Sequence, residues 1–180
     1  MTSEILLAGF GGQGILFAGK ILAYCGLMDE KEVSWLPSYG PEMRGGTANC
    51  SVIVSDKPVG SPVITNDATS ALVLNLPSLD KFENDVVPGG KIVVNSSLID
   101  KKVARTDVEA YYFDANKIAA ELGNVKAVNM VMLGAYLELC KPVSKESIME
   151  AFLKVFGEDK AKLLPLNEKA LMAGAEAVRK

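Results

Sequence analysis

The fold is decided by residues 4–26, which read EILLAGFGGQGILFAGKILAYCG. Residues 4–8 form a short apolar run that ends at glycine, a pattern typical of a buried parallel strand. From residue 14 onward apolar residues recur at helical spacing, and Gly26 is expected to close this helix. This stretch therefore predicts a strand, a glycine-rich loop and a helix over residues 14–26.

Strand and helix signals alternate along the rest of the chain. Strands are predicted at residues 33–36, 47–54, 71–75, 91–95 and 111–113, and helices near 77–85, 115–122, 127–140, 144–156 and 165–178. Pro37 is expected to stop the second strand, Pro88-Gly89-Gly90 to form a tight turn, and Asp114 to cap the helix after it. We predict a single domain with an α/β, Rossmann-like three-layer sandwich, a mainly parallel sheet and a helical C-terminal third.

The chain contains no His and only three Cys in 180 residues. Without His, a Ser-His-Asp triad, a Cys-His pair and a His-ligated zinc site are excluded. Cys25, Cys50 and Cys140 are too far apart for a C-x-x-C pair and too few for the four ligands of an iron–sulfur cluster. We expect a reducing cytoplasm, with Cys50 serving as core packing rather than as a redox thiol.

Nineteen basic and twenty-two acidic residues give a net charge of −3. This balance offers no footprint for nucleic acid and no polybasic segment for a membrane surface. The densest cationic patch, Lys101, Lys102 and Arg105, is interpreted as a solvated surface. We expect neither a signal peptide nor a membrane span, because the N-terminus lacks a basic region and no apolar run reaches 18 residues.

The glycine loop Gly9-Phe-Gly11-Gly12-Gln13-Gly14 fits G-x-G-x-x-G between a predicted strand and helix. Glycines allow a sharp turn and close approach to a ligand, and the N–H groups at a helix start favour an anion. The alternative is that these glycines only make a tight packing turn. A dinucleotide site would also need an acidic residue at the end of the second strand, and that strand has none. NAD is therefore disfavoured.

A second loop, residues 37–46, contains three Gly and two Pro. Loops after the first two strands should emerge at the same edge of the sheet, where ligands usually bind. Arg44 offers a planar donor fork for a carboxylate or phosphate, and Tyr39 offers an aromatic face and a hydroxyl. Alternatively, Arg44 pairs with Glu42 or another carboxylate.

These two loops carry a family resemblance. The Gly-Phe-Gly-Gly-Gln-Gly loop, followed by Pro-Ser-Tyr-Gly-Pro-Glu-Met-Arg-Gly-Gly and Ala-Asn-Cys-Ser-Val-Ile-Val-Ser, closely resembles the gamma subunit of 2-oxoacid:ferredoxin oxidoreductases, most of all the 2-oxoglutarate enzymes. The likeness covers most of residues 4–140, and we expect the whole of residues 1–180 to form one such gamma domain.

The resemblance implies a multi-subunit enzyme that oxidatively decarboxylates a 2-oxoacid with coenzyme A and reduces ferredoxin. Thiamine diphosphate, Mg2+ and 4Fe-4S clusters would belong to alpha and beta partner subunits and, in complexes that have one, a small ferredoxin-like delta subunit, so the isolated chain is expected to be inactive. No catalytic residue is predicted here. Two alternatives remain: a free-standing oxidoreductase that binds NAD or FAD, and a structural interaction module.

The resemblance also suggests positions for a cofactor-binding site. Gly11, Gly12, Gln13 and Gly14, together with Gly9 at the base of the loop, would line one side of the catalytic crevice. Tyr39 and Arg44 would reach towards neighbouring subunits or the phosphates of coenzyme A. The helix near residues 127–140 is apolar nearly all round, which fits either a central helix of this domain or a subunit interface.

Overall fold

The computed structural model describes residues 1–39 and 46–179, with the backbone alone for Tyr39. The strands are β1 (Thr2–Phe10), β2 (Glu32–Tyr39), β3 (Thr47–Ser55), β4 (Ala68–Val73), β5 (Val86–Asn95) and β6 (Glu109–Phe113). The helices are α1 (Ile15–Met28), α2 (Leu76–Phe82), α3 (Ala115–Glu121), α4 (Val128–Cys140), α5 (Ser147–Phe156) and α6 (Leu164–Val178). The predicted α/β alternation and helical C-terminal third are confirmed, although α1 continues two residues beyond Gly26.

The six strands form one mixed sheet in the order β2-β3-β1-β4-β5-β6. The pairs β1–β4, β4–β5 and β5–β6 are parallel, whereas β3 runs antiparallel to both β1 and β2. Because β3 reverses between them, β1 and β2 point the same way. The predicted mainly parallel sheet is confirmed on one side of β1, and an antiparallel unit completes the other side.

The prediction that Pro37 stops the second strand is wrong. β2 continues through it to Tyr39, and Pro37 lies opposite Cys50 of β3. Proline lacks the N–H that a second neighbouring strand would need, but β2 is an edge strand and has only one neighbour. The edge position therefore explains why this proline is tolerated.

The predicted tight turn at Pro88-Gly89-Gly90 is also wrong, because these residues lie within β5. The pairing with β4 is irregular there: Ala68 lies opposite Val86, and Ser70 lies opposite Lys91. Residues 87–90 form a bulge in which Gly89 adopts φ +78° and donates its N–H to Asp107 O at 2.6 Å. The glycines therefore mark a β-bulge within β5 and not a reversal of the chain.

Helices cover both faces of the sheet unequally. On one face, Ile5 and Leu7 of β1 join the larger core cluster, to which α1, α3, α4, α5 and α6 contribute. On the other face, Leu6 and Ala8 join a smaller cluster, to which α2 and Ile99 contribute. The alternation of β1 side chains between two cores confirms the three-layer arrangement.

The nearly all-apolar helix α4 is a central helix of this domain. Nine of its residues are buried, and it packs closely against α6. Its apolar surface is thus covered by the chain itself. This packing supports the alternative that α4 is a central helix of the domain. No helix in the described ranges is both long and apolar enough to cross a bilayer.

The cationic patch is less solvated than expected. Arg105 donates to the backbone oxygens of Glu83 and Val86, and its side chain is only 18% exposed. Lys101 bonds the Asp80 carboxylate at 2.6 Å. These contacts fasten the segment after β5 to the end of α2, so these two cations stabilise the thinner face of the sandwich.

Candidate functional site at the glycine loop

The glycine loop joins the end of β1 to the start of α1 and is held by its own hydrogen bonds. Gln13 Oε1 accepts the Phe10 N–H at 2.6 Å, and the Gln13 N–H donates to Phe10 O at 3.1 Å. The Gly11 N–H donates to Gly46 O at 2.8 Å, which ties the loop to the residue before β3. Gln13 therefore shapes the loop from within, and its side-chain oxygen is already engaged.

Glycine is required at different positions of this loop for different structural reasons. Gly9 is buried, and a β-carbon there would lie 2.6 Å from Gln13 Oε1 and 3.1 Å from Leu74 Cβ. Gly12 is exposed at φ +95°, and a β-carbon there would meet no heavy atom within 4 Å among the described residues. The packing interpretation thus accounts for Gly9 but not for Gly12, beside which no described residue lies.

Gly14 is the point at which the loop touches α4. It adopts φ +76°, and a β-carbon there would lie 2.5 Å from Asn129 Nδ2. The Asn129 amide donates to Gly14 O at 3.3 Å, and the same oxygen accepts the Ala18 N–H at 3.0 Å. Sequence reasoning missed Asn129, whose one available signal is an amide within an otherwise apolar helix.

The two predicted loops do begin at the same edge of the sheet. Tyr39, Ala48 and Gly9 lie level across β2, β3 and β1. The Tyr39 backbone therefore ends its strand two strands away from the glycine loop. The Tyr39 side chain and the whole of Arg44 lie outside the described residues.

A second polar residue missed by sequence reasoning lies beside the glycine loop, at the carboxyl end of β4. Asn75 is 1% exposed, and its Oδ1 accepts the Ser78 N–H at 2.9 Å to cap α2. Its Nδ2 is buried with no acceptor among the described residues. The signal available was an amide directly after a buried strand. Phe10 and Leu76 add partly exposed apolar surface at this edge.

Cys50 lies beneath the start of α1 and is part of the core, as predicted. It is fully buried, and its thiol donates to Ile15 O at 3.9 Å. Burial raises the pKa of Cys50 to about 12. The thiol is therefore protonated at neutral pH, which does not suit a nucleophile. Within the described ranges, no three His, Cys, Asp or Glu side chains gather as metal ligands.

The sheet order bears on dinucleotide binding. In that class of site an acidic residue at the end of the second strand holds the ribose, and the second strand lies next to the first. Here the antiparallel β3 separates β2 from β1, and β2 ends in Ser38 and Tyr39. The arrangement keeps the glycine-rich turn between the first strand and helix of such folds but lacks the acidic ribose partner.

Comparison with known proteins agrees with this loop and fold. The family described as pyruvate ferredoxin/flavodoxin oxidoreductase matches residues 4–177. Ketoisovalerate oxidoreductase subunit VorA of Methanothermobacter thermautotrophicus is 40% identical over 178 residues, which are 98% of this chain but 36% of that protein. The chain thus spans little more than a third of that relative.

Two further relatives have nearly the same length as this chain. The 2-oxoglutarate synthase subunit KorC of Methanocaldococcus jannaschii is 41% identical over 157 residues, covering 85% of this chain and 83% of that protein. The gamma subunit of a keto/oxoacid ferredoxin oxidoreductase from Geobacter sulfurreducens superposes with a TM-score of 0.80 at 33% identity and covers 97% of both chains. The resemblance noted in the two loops is confirmed: this chain belongs to the pyruvate ferredoxin/flavodoxin oxidoreductase family.

Proposed function

We propose that this chain, over residues 1–180, is the gamma subunit of a 2-oxoacid:ferredoxin oxidoreductase. The complex would convert a 2-oxoacid and coenzyme A to acyl-CoA and carbon dioxide, with electrons passing to ferredoxin. The observation that carries the proposal is the family match over residues 4–177. A cytoplasmic location fits the free thiols of all three cysteines.

We assign the cofactors of such a complex to its alpha and beta subunits and, in complexes that have one, to a delta subunit. Three scattered cysteines do not fit a 4Fe-4S cluster, which needs four ligands. The chain also lacks the Gly-Asp-Gly…Asn pattern that would hold Mg2+ and thiamine diphosphate. The proposed task of this subunit is to complete the crevice beside those groups.

Within that crevice, we assign the exposed part of the glycine loop to an anionic portion of coenzyme A. The N-terminus of α1 favours a phosphate there, and a β-carbon at Gly12 would meet no described heavy atom within 4 Å. Gly9 would support this surface from below, and Tyr39 and Arg44 would approach it from the second loop.

We propose 2-oxoglutarate as the substrate, because the KorC relative matches this chain along most of both lengths. Ketoisovalerate is the second candidate, supported by 40% identity to VorA over nearly the whole of this chain. Steady-state assays with 2-oxoglutarate, ketoisovalerate and pyruvate separate these candidates. A kcat/KM highest for ketoisovalerate would overturn the first choice.

The test is reconstitution with the alpha and beta chains that co-purify with this one. We expect CoA-dependent ferredoxin reduction only when this chain is present. Full activity of a complex lacking it would contradict the proposal. For the loop, Gly12→Asp and Gly12→Asn share the same backbone strain and differ in charge. Phosphate at this position predicts a higher KM for coenzyme A in Gly12→Asp, whereas equal KM values would place the phosphate elsewhere.

A further inference from the structure

We infer that Asn129 is a positioning residue for the glycine loop, an inference that rests on the proposed function of that loop. Asn129 lies in the first turn of α4 and is 9% exposed. The other buried residues of this helix are apolar apart from Tyr136, which bonds Ser70. A buried amide is costly unless it is hydrogen-bonded, so its partner explains its presence.

The partner of Asn129 is the carbonyl of Gly14, the residue directly before α1. Gly14 O accepts both Asn129 Nδ2 at 3.3 Å and the Ala18 N–H at 3.0 Å. Two donors on one oxygen hold the peptide between Gly14 and Ile15 in a single orientation. Because a trans peptide is planar, fixing this carbonyl directs the Ile15 N–H the opposite way, out of the helix N-terminus.

The contact also restrains the turn that presents Gly12. Gly14 has the left-handed φ of +76°, and Asn129 fills the space where its side chain would be. The loop is therefore held at Gly14 by α4 and at Gly11 by Gly46 O, while no described residue lies within 4 Å of a β-carbon at Gly12 between them. Asn129 acts on a bound anion through this backbone and does not touch the anion itself.

The decisive variant is Asn129→Leu, which keeps a similar volume and removes the donor. In the reconstituted complex we expect the KM for coenzyme A to rise about three- to tenfold, the equivalent of one hydrogen bond. We expect kcat to stay within about twofold, since no reacting group changes. Asn129→Ser retains a short hydroxyl donor, so its KM for coenzyme A should lie between those of Asn129→Leu and the wild type.

Met132→Ala is the matched control, because Met132 is fully buried on the same helix. It should lower the melting temperature without changing the KM for coenzyme A. Amide hydrogen exchange on the isolated chain provides a readout that needs no ligand. Exchange at residues 11–16 should accelerate in Asn129→Leu by about tenfold or more relative to Met132→Ala at matched stability.

The outcomes separate the two proposals. Unchanged exchange at residues 11–16 in Asn129→Leu would overturn the positioning role, whatever the complex does. Faster exchange with an unchanged KM in an active complex would overturn its link to coenzyme A. If the wild-type complex shows no dependence on coenzyme A or on this chain, the proposed function fails, and the exchange result alone then decides whether Asn129 orders the loop.

Discussion

The Asn129 amide occupies the space that a side chain at Gly14 would need, although 115 residues separate them in sequence. A β-carbon at Gly14 would lie 2.5 Å from Asn129 Nδ2 and 2.9 Å from its Cγ. Two independent constraints therefore favour glycine at position 14: its positive φ and the close approach of α4.

Gly14→Ala should lower the free energy of unfolding by about 2–4 kcal/mol, because it combines left-handed strain with overpacking. Gly12→Ala shares the positive φ but meets no heavy atom of the described residues within 4 Å, so its cost should be about 1–2 kcal/mol. Urea denaturation of the isolated chain measures both values. Equal losses would show that the Asn129 contact does not restrict position 14.

The α4–α6 interface depends on two glycines. A β-carbon at Gly174 would lie 1.8 Å from Val131 O, and one at Gly134 would lie 2.0 Å from Leu171 O. Alanine favours a helix over glycine by about 1 kcal/mol, but this overlap with backbone is much more costly.

Gly174→Ala should therefore destabilise the chain by about 3 kcal/mol or more, despite its better helix propensity. Met172→Ala on the exposed side of α6 is the control and should change stability by less than about 0.5 kcal/mol. Thermal unfolding followed by circular dichroism compares them. A Gly174→Ala chain as stable as the wild type would mean that the helices can separate at little cost.

A buried hydroxyl pair links α4 to β4. Ser70 Oγ and Tyr136 OH lie 2.9 Å apart, and both residues are at most 2% exposed. Burial raises the pKa of Tyr136 well above its ordinary value, so the phenol stays neutral. Tyr136→Phe and Ser70→Ala should each cost about 1–2 kcal/mol by leaving one buried hydroxyl without this partner.

The double variant should cost less than the sum of the single variants by about 1 kcal/mol, because it removes both polar groups. A double-mutant cycle in urea tests this coupling. Additive losses would show that the two hydroxyls do not depend on each other.

Asp29 predicts a pH dependence of stability. Its carboxylate accepts hydrogen bonds from the Ser144 and Ser147 hydroxyls, each at 2.6 Å, and so joins the end of α1 to the start of α5. Burial alone would raise the pKa of Asp29, but the hydrogen bonds from Ser144 and Ser147 outweigh it and hold the pKa below its ordinary value.

A depressed folded-state pKa stabilises the protein above the unfolded value of about 3.9, and this contribution is lost as the pH falls through the folded pKa. Asp29→Asn should therefore cost about 1–2 kcal/mol at pH 7, and the difference from wild type should shrink below about pH 4. Asp100→Asn, at an exposed carboxylate, is the control. A difference that persists unchanged to pH 2.5 would contradict the assignment.

Features that depend on adjacent residues could be predicted from the sequence. The apolar run at residues 4–8, the glycines after it and the helical spacing beyond them specify β1, the loop and α1, because each is a local pattern. Asp114 was also predicted as a cap, and its side chain accepts the Lys117 N–H. The two loop motifs also identified the family, because their residue types and their order along the chain are both specific.

Sequence periodicity does not say which strand lies beside which. The antiparallel β3 between β1 and β2, and the edge position that accommodates Pro37, depend on pairing between distant segments. Similarly, the helix predicted near residues 144–156 begins at Ser147, and Ser144 instead donates its hydroxyl and N–H to Asp29 near the other end of the chain.

The sequence by itself thus determined the α/β class, the glycine loop and the family, because backbone periodicity and turn chemistry are encoded by near neighbours. Only the tertiary structure decided what each loop glycine does. Gly9 packs on Leu74, Gly14 packs on Asn129, and Gly12 contacts neither of them, with no described heavy atom within 4 Å of its β-carbon position. These roles depend on β4 and α4, which reach the loop only when the chain packs into one core, so no local pattern could distinguish three identical residues.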